Sequence, residues 1–292
     1  MVKIIGGSRP SLLGDCVCSL PFLTYLEKTY PESIKIGFLD LKCIQLAPLL
    51  HNQQYLDGIR ISERSDQMTE KDEEYFKKFD IAFSPFPTIT EENYYNKRGV
   101  VEETFKMSTL WNDENWGRIM PEEWNKLTEE ERFPRLNQWF EVKTNNNYIA
   151  LWASSGYDKN PVNQKRNPSK EYWAGLVNRL IKDGYNVAQL GTQNHDLISG
   201  EVLDLRHYSL FEAVRFSLGC TSVGLDSGSM WCVAALGGNQ VLLTTLWREN
   251  HVTNPSALVP VNWKNRAINL FNLEINNIQY DDVVKSIKLL NE

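Results

Sequence analysis

Short apolar runs recur along this chain, and each gives way to small or polar residues and then to a helical stretch. Tyr148 to Trp152 leads into Ala153-Ser154-Ser155-Gly156, Tyr185 to Leu190 ends at Gly191, and Ser222 to Leu225 ends at Asp226-Ser227-Gly228-Ser229. A run of four to six apolar residues is a strand buried on both faces. An intervening helix returns the chain so that successive strands lie parallel. This alternation restricts the chain to α/β architectures with helices on both faces of a sheet.

The pattern occurs twice. In the first half, residues 2–6 read as a strand, followed by Gly6-Gly7-Ser8-Arg9-Pro10. A helical stretch from Gly14 to Tyr30 carries Val17, Leu20, Leu23 and Leu26, and Pro21 either kinks it or marks its start. Ile34 to Leu39, Gly58 to Ile61 and Phe79 to Ser84 are further strands, with a charged helix from Glu70 to Lys78. Residues 85–140, rich in Trp, Glu and Asn, have no clear period and are expected to hold helices and long loops.

In the second half, Pro168 suits the first position of a helix, with Asn167 as its cap. Trp173, Leu176, Val177, Leu180 and Ile181 form its buried face, and Gly184 stops it. Ser209 and Glu212 form a capping box for a helix over 210–218. Gly228 to Ala235 is a short helix, Gln240 to Thr244 a strand, and Tyr280 to Leu290 a last helix capped by Asp281 or Asp282. The expected domains are residues 1–143 and 144–292, with Thr144-Asn145-Asn146-Asn147 as linker.

The formal net charge of −6 argues against a nucleic-acid partner. No window has the length of a membrane span and no basic block marks a membrane patch, so membrane contact is at most peripheral. The start, Val2-Lys3-Ile4-Ile5-Gly6-Gly7, lacks the features of a secretion signal, so the expected location is the cytoplasm. Five cysteines, with Cys16 and Cys18 spaced C-x-C, read as reduced thiols and not as a metal site.

Ligands of open α/β sheets bind beyond the carboxyl ends of the strands. Asp15, after Gly14 and near a helix start, is either a cap or a general base for an attacking hydroxyl. Ser154 and Ser155 offer hydroxyl and amide donors to phosphate oxygens. Lys165 and Arg166 precede a helix, where cations are unfavourable unless an anion is present; a solvated basic pair is the alternative. Ser227, Gly228 and Ser229 form a tight turn into a helix N-terminus, an anion-binding arrangement, while Asp226 either caps that turn or bonds a sugar hydroxyl. No G-x-G-x-x-G, Walker loop or G-x-S-x-G occurs, and His195 and His207 read as surface or core residues.

Three stretches resemble glycosyltransferase family 9, the ADP-heptose:lipopolysaccharide heptosyltransferases and their relatives. Gly14-Asp15 through Leu20-Pro21 to Tyr30-Pro31 is similar to the family's Gly-Asp motif, its proline-containing helix and its "YP" ending. Lys165-Arg166-Asn167-Pro168 and the helix after it resemble "K-R-W-P". Leu203-Asp204-Leu205 through Gly224-Leu225-Asp226-Ser227-Gly228-Ser229-Met230 to Gly237 resembles "N-D-S-G-x-M-H-x-A-A-x-x-G". Trp231 replaces the family's usual histidine, Asn167 its common tryptophan, and Leu225 the asparagine before the Asp.

The resemblance implies a GT-B fold, two Rossmann-like domains facing across a cleft, with the last helix able to pack back on the first. It also implies lipopolysaccharide biosynthesis and an inverting, metal-independent transfer from a nucleotide-diphosphate sugar, which is a substrate and not a cofactor, to a glycan or lipid-linked hydroxyl. By that carry-over Asp15 is the base, Lys165 contacts the donor phosphates, and Asp226 with Ser227-Gly228-Ser229 forms the donor site. Two other readings of the same fold stand beside it. One is a nucleotide-sugar epimerase, for which no acid and base set is evident. The other is a non-catalytic nucleotide- or glycan-binding protein, which Trp231 and the divergent middle keep open.

Overall fold

The computed structural model describes residues 4–8, 13–62, 81–84, 109–112, 115–118, 121–154, 166–245 and 262–292. The chain divides into two compact units, Met1–Trp139 and Phe140–Glu292, each built on a six-stranded sheet.

In the first unit β1 (Ile4–Ser8), β2 (Ile34–Asp40), β3 (Gly58–Ser62) and β4 (Ile81–Ser84) are parallel, in the order β3-β2-β1-β4. Next to β4 lies an antiparallel pair, β5 (Thr109–Asn112) and β6 (Asn115–Arg118). This pair corrects the expectation of helices and loops alone over 85–140. Four-residue strands carrying Trp, Asn and Arg show no apolar run. The helix expected over 70–78 lies outside the described residues.

The stretch after β1 is two helices: α1 (Leu13–Cys18) and α2 (Leu20–Thr29), separated at Ser19. Pro21 marks a start and not a kink. Its missing N–H costs nothing in the first turn, and the Ser19 hydroxyl donates to the Cys16 carbonyl at 2.8 Å. Phe22, Leu23 and Leu26 of α2 are buried. Lys35 of β2, 2% exposed, is neutralised by Glu27 of α2 at 2.6 Å and donates to the Ser33 carbonyl. Helix α3 (Ala47–Leu50) follows a 3-10 turn, Leu41–Leu46, and α4 spans Pro121–Asn125.

The second unit holds β7 (Tyr148–Trp152), β8 (Asn186–Leu190), β9 (Leu203–Asp204), β10 (Thr221–Leu225), β11 (Gln240–Thr244) and β12 (Ala267–Phe271). All pairings are parallel, in the order β9-β8-β7-β10-β11-β12. This is the dinucleotide-fold order, reversing direction between its first and fourth strands. Helices α5 (Lys170–Lys182) and α8 (Tyr280–Asn291) cover one face, where Ile149, Leu151, Val223 and Val241 meet Leu176, Val177, Val283 and Ile287. Helices α6 (Leu210–Leu218) and α7 (Gly228–Ala235) lie on the other, where Ala150, Trp152, Ala188 and Leu242 meet Ala213 and Met230.

Local signals account for most helix ends. Ser209 and Glu212 cap α6 reciprocally, and Gly184 ends α5 at φ +91°. Two caps differ from expectation. The cap of α5 is Ser169, whose Oγ accepts from Tyr172 N at 3.1 Å, so Asn167 and Pro168 stand outside the helix. Gln279 precedes α8 without capping it, its side-chain amide donating instead to the Asn277 carbonyl at 2.8 Å, and Asp281 and Asp282 sit in the first turn, where they favour the dipole. The apolar face of α8, with Val283, Val284 and Ile287, packs on the second sheet. No helix among the described residues is long and apolar enough to cross a membrane.

Gly224 of β10 makes room for Trp152 of β7: a Cβ there would stand 2.7 Å from Trp152 Cβ and 2.9 Å from its carbonyl oxygen. A Cβ on Gly184 would meet nothing, so only its positive φ is at stake. Chemical denaturation is expected to show Gly224→Ala losing about 3 kcal/mol and Gly184→Ala about 1 kcal/mol.

Candidate functional site

The reversal of strand order puts the carboxyl ends of β7 and β10 side by side, with their helices leaving toward opposite faces. A crevice opens at such a point, and ligands of this fold class occupy it. Residues 226–229 stand at this point of the sheet: they are half-buried, while β10 before them and Met230 to Gly238 after them are buried. Ser227 is extended at φ −153°, ψ 158°, and its Oγ accepts from Met230 N at 3.4 Å. Ser227 therefore caps α7, correcting the cap reading of Asp226. Gly228 and Ser229 open the helix, where amide groups have no carbonyl four residues back and the dipole favours an anion.

Arg166 joins this turn from the segment that precedes α5. Its Nη2 donates to Asp226 Oδ2 at 2.7 Å and to the Asp226 carbonyl at 3.3 Å. Trp231 Nε1 donates to the other carboxylate oxygen at 3.2 Å. Arg166 is thus held by a carboxylate. Burial is the largest influence on Asp226 and raises its pKa above the ordinary carboxylate range; the Arg166 charge and the bonds from Trp231 and Arg166 pull it back. The side chain nonetheless keeps 25% of its surface exposed, enough for solvent to reach the pair. Ser155 and Lys165 lie outside the described residues.

A second group converges on the end of β7. Ser154 Oγ lies 3.2 Å from His195 Nε2. His195 sits in the loop after β8, which starts at Gly191 with φ +129°; a Cβ on Gly191 would stand 3.2 Å from the imidazole Nδ1. The loop is fastened at several points. Gln189 donates to the Asp196 carbonyl at 2.8 Å and accepts from Ile198 N at 2.9 Å. Arg206 donates to the His195 carbonyl and is itself held by Asp204 at 2.7 and 2.8 Å. His195, read from sequence as a surface or core residue, is half-buried and stands within hydrogen-bond distance of Ser154. The signal that could have found it is its place after the second strand of the sheet, where dinucleotide folds carry the residue that meets the ribose.

In the first unit Asp15 is half-buried in the first turn of α1, after Gly14, and its carbonyl accepts from Ser19 N at 3.0 Å. At the end of β2, Asp40 is 4% exposed. One of its oxygens accepts from Lys42 N at 2.7 Å, and the other has no partner among the described residues. Among the described residues no cluster of three or more His, Cys, Asp or Glu could hold a metal ion.

The Arg206 guanidinium holds the Asp204 carboxyl well below its ordinary value, at about 2. A depressed carboxylate stabilises the fold above its unfolded pKa of about 4, and that contribution is lost as pH falls toward 2. Urea midpoints of wild type and Asp204→Asn are therefore expected to differ at pH 5 and to converge by pH 2. The difference is small because the Asp204 side chain is 42% exposed.

No family profile and no curated protein sequence matches this chain. Solved structures do. E. coli ADP-heptose lps heptosyltransferase II superposes with a TM-score of 0.68 at 16% identity, over 99% of this chain and 98% of that one. A family 9 glycosyl transferase from Veillonella parvula gives 0.67 at 14%, over 99% and 97%. E. coli heptosyltransferase WaaC with ADP gives 0.60 at 13%, over 98% and 99%. At these identities the likeness is one of fold, and it extends over the whole chain.

Proposed function

We propose that this protein is a glycosyltransferase that takes its sugar from a nucleotide-diphosphate donor held by the second unit. The observation that carries the reading is the Arg166–Asp226 pair at the strand-order reversal, beside the N-terminus of α7. A fixed cation and outward amides at such a crevice suit a diphosphate. The fold shared with proteins solved as heptosyltransferases, one of them with ADP, supports the same assignment.

The proposed reaction is a single displacement with inversion and without a metal. Asp15 takes the proton of an acceptor hydroxyl on a glycan or lipid-linked sugar. The acceptor oxygen bonds to the anomeric carbon as the bond from that carbon to the diphosphate oxygen breaks, and the electron pair leaves with the nucleoside diphosphate. Arg166, with Lys165 and the amides of Gly228 and Ser229, offsets the charge that develops on the leaving group. Ser154 and its partner His195 line the nucleoside side of the same crevice, and a heptose is the sugar that the family resemblance favours.

A ligand that binds only the folded state raises the melting temperature. In a thermal-shift series with ADP, UDP, GDP, CDP and their sugar conjugates, one nucleotide is expected to stabilise the wild type, with Arg166→Ala weakening its affinity about tenfold or more. Asp15→Asn is expected to bind that nucleotide normally and to lose at least about 100-fold in turnover. A wild type that no conjugate stabilises at millimolar concentration sinks the transferase reading. Normal turnover by Asp15→Asn sinks the assignment of the base.

A further inference from the structure

We infer that Trp231 is a positioning residue: its indole N–H fixes the Asp226 carboxylate so that Arg166 is presented to the donor diphosphate. This rests on the donor-site reading above and adds to it a residue that touches no substrate.

The geometry is a relay across the strand-order reversal. Asp226 stands at the carboxyl end of β10, and Trp231 lies in α7, anchored by its backbone N–H on the Ser227 carbonyl at 3.0 Å. The indole holds Oδ1 and Arg166 holds Oδ2, so the carboxylate plane is set from both sides. A carboxylate turns readily about its last torsion, which is broad and two-fold, and a donor on one oxygen leaves that freedom. A second donor on a packed helix removes it. Arg166 comes from irregular chain before α5, and both the carboxylate and the backbone carbonyl of Asp226 accept from its guanidinium at the sheet edge.

Filling the core does not account for the contact. The Trp231 ring is 4% exposed among the apolar residues of α7, yet burying an indole does not itself supply an acceptor. Trp173 is 3% exposed, and its N–H has no partner among the described residues. The Trp231 bond also counts among the influences that oppose the rise in the Asp226 pKa caused by burial.

A double-mutant cycle read by isothermal titration of ADP and UDP tests the relay. Trp231→Phe keeps a ring in the core and removes the N–H. It is expected to weaken nucleotide binding about five- to tenfold, with the unliganded melting temperature within about 3 °C of wild type. The same substitution in an Arg166→Ala background is expected to change affinity less than about twofold, because the path runs through Arg166. Trp231→His, which restores a ring N–H, is expected to recover part of the loss.

An equal loss in both backgrounds assigns Trp231 to packing and overturns the inference, as does a Trp231→Phe protein that binds like wild type. Should Trp231→Phe melt well below wild type, Asp226→Asn, which leaves the indole in the core, must show the same loss of affinity; normal binding by that variant overturns the proposal. A wild type that binds none of the four nucleotides of the thermal-shift series overturns the donor-site reading and this inference with it; a protein selective for GDP or CDP is titrated with that nucleotide instead. Binding that Trp231→Phe leaves untouched overturns this inference alone.

Discussion

A parallel sheet has no solvent face. Its strands are covered by helices on both sides, and every residue of β10 and β11 in the second unit is buried. Polar side chains such as Gln189 and Ser222 are sealed inside the sheet, so groups able to meet a ligand stand at the strand ends. The strand order then decides which ends matter, because only where β7 and β10 diverge to opposite layers does the edge open without a helix across it. The placement of Ser154, Arg166 and the Asp226–Ser229 turn follows from that one restriction. Gly224 follows from it too, since the two diverging strands must pass close enough for Trp152 to lie over its Cα.

The electrostatics of this edge are balanced before any ligand arrives. Arg166 has a carboxylate partner at 2.7 Å, so the site is not a bare positive patch. A guanidinium has five N–H donors in a planar fork and can serve a carboxylate and a phosphate at once, which an ammonium group cannot do with the same geometry. The pairing also costs something: burial works against the Asp226 charge, and the donors around it are what make that charge tolerable. Two different elements, one irregular and one helical, supply those donors.

Features that depend on a few neighbouring residues were legible in the sequence. The capping box at Ser209, the glycine stop at Gly184 and the apolar runs of β7 and β11 are set by local geometry and burial, and they stand where the sequence put them. Edge elements were not. β9 is two exposed residues, and in β12, nowhere fully buried, Asn269 interrupts the apolar Ala267, Ile268, Leu270 and Phe271. The β5–β6 pair hides among tryptophans and asparagines for the same reason. At the site, the small-residue turn after β10 was readable because strand, turn and helix follow one another directly. His195 was not, because its partner Ser154 lies 41 residues away and only the pairing of β7 with β8 brings them together. The role of Asp226 shifted likewise: nothing near it in sequence predicts Arg166, 60 residues earlier.

That separation bears on how the second unit assembles. The β7–α5–β8 segment closes a shorter loop than the pairing of β10 with β7, which costs more chain entropy. The Arg166–Asp226 link exists only once that pairing is made, and it breaks when β10 detaches. Any ligand that spans the Arg166 segment and the turn after β10 therefore acts as a latch across the joint of this sheet that closes the longest stretch of chain.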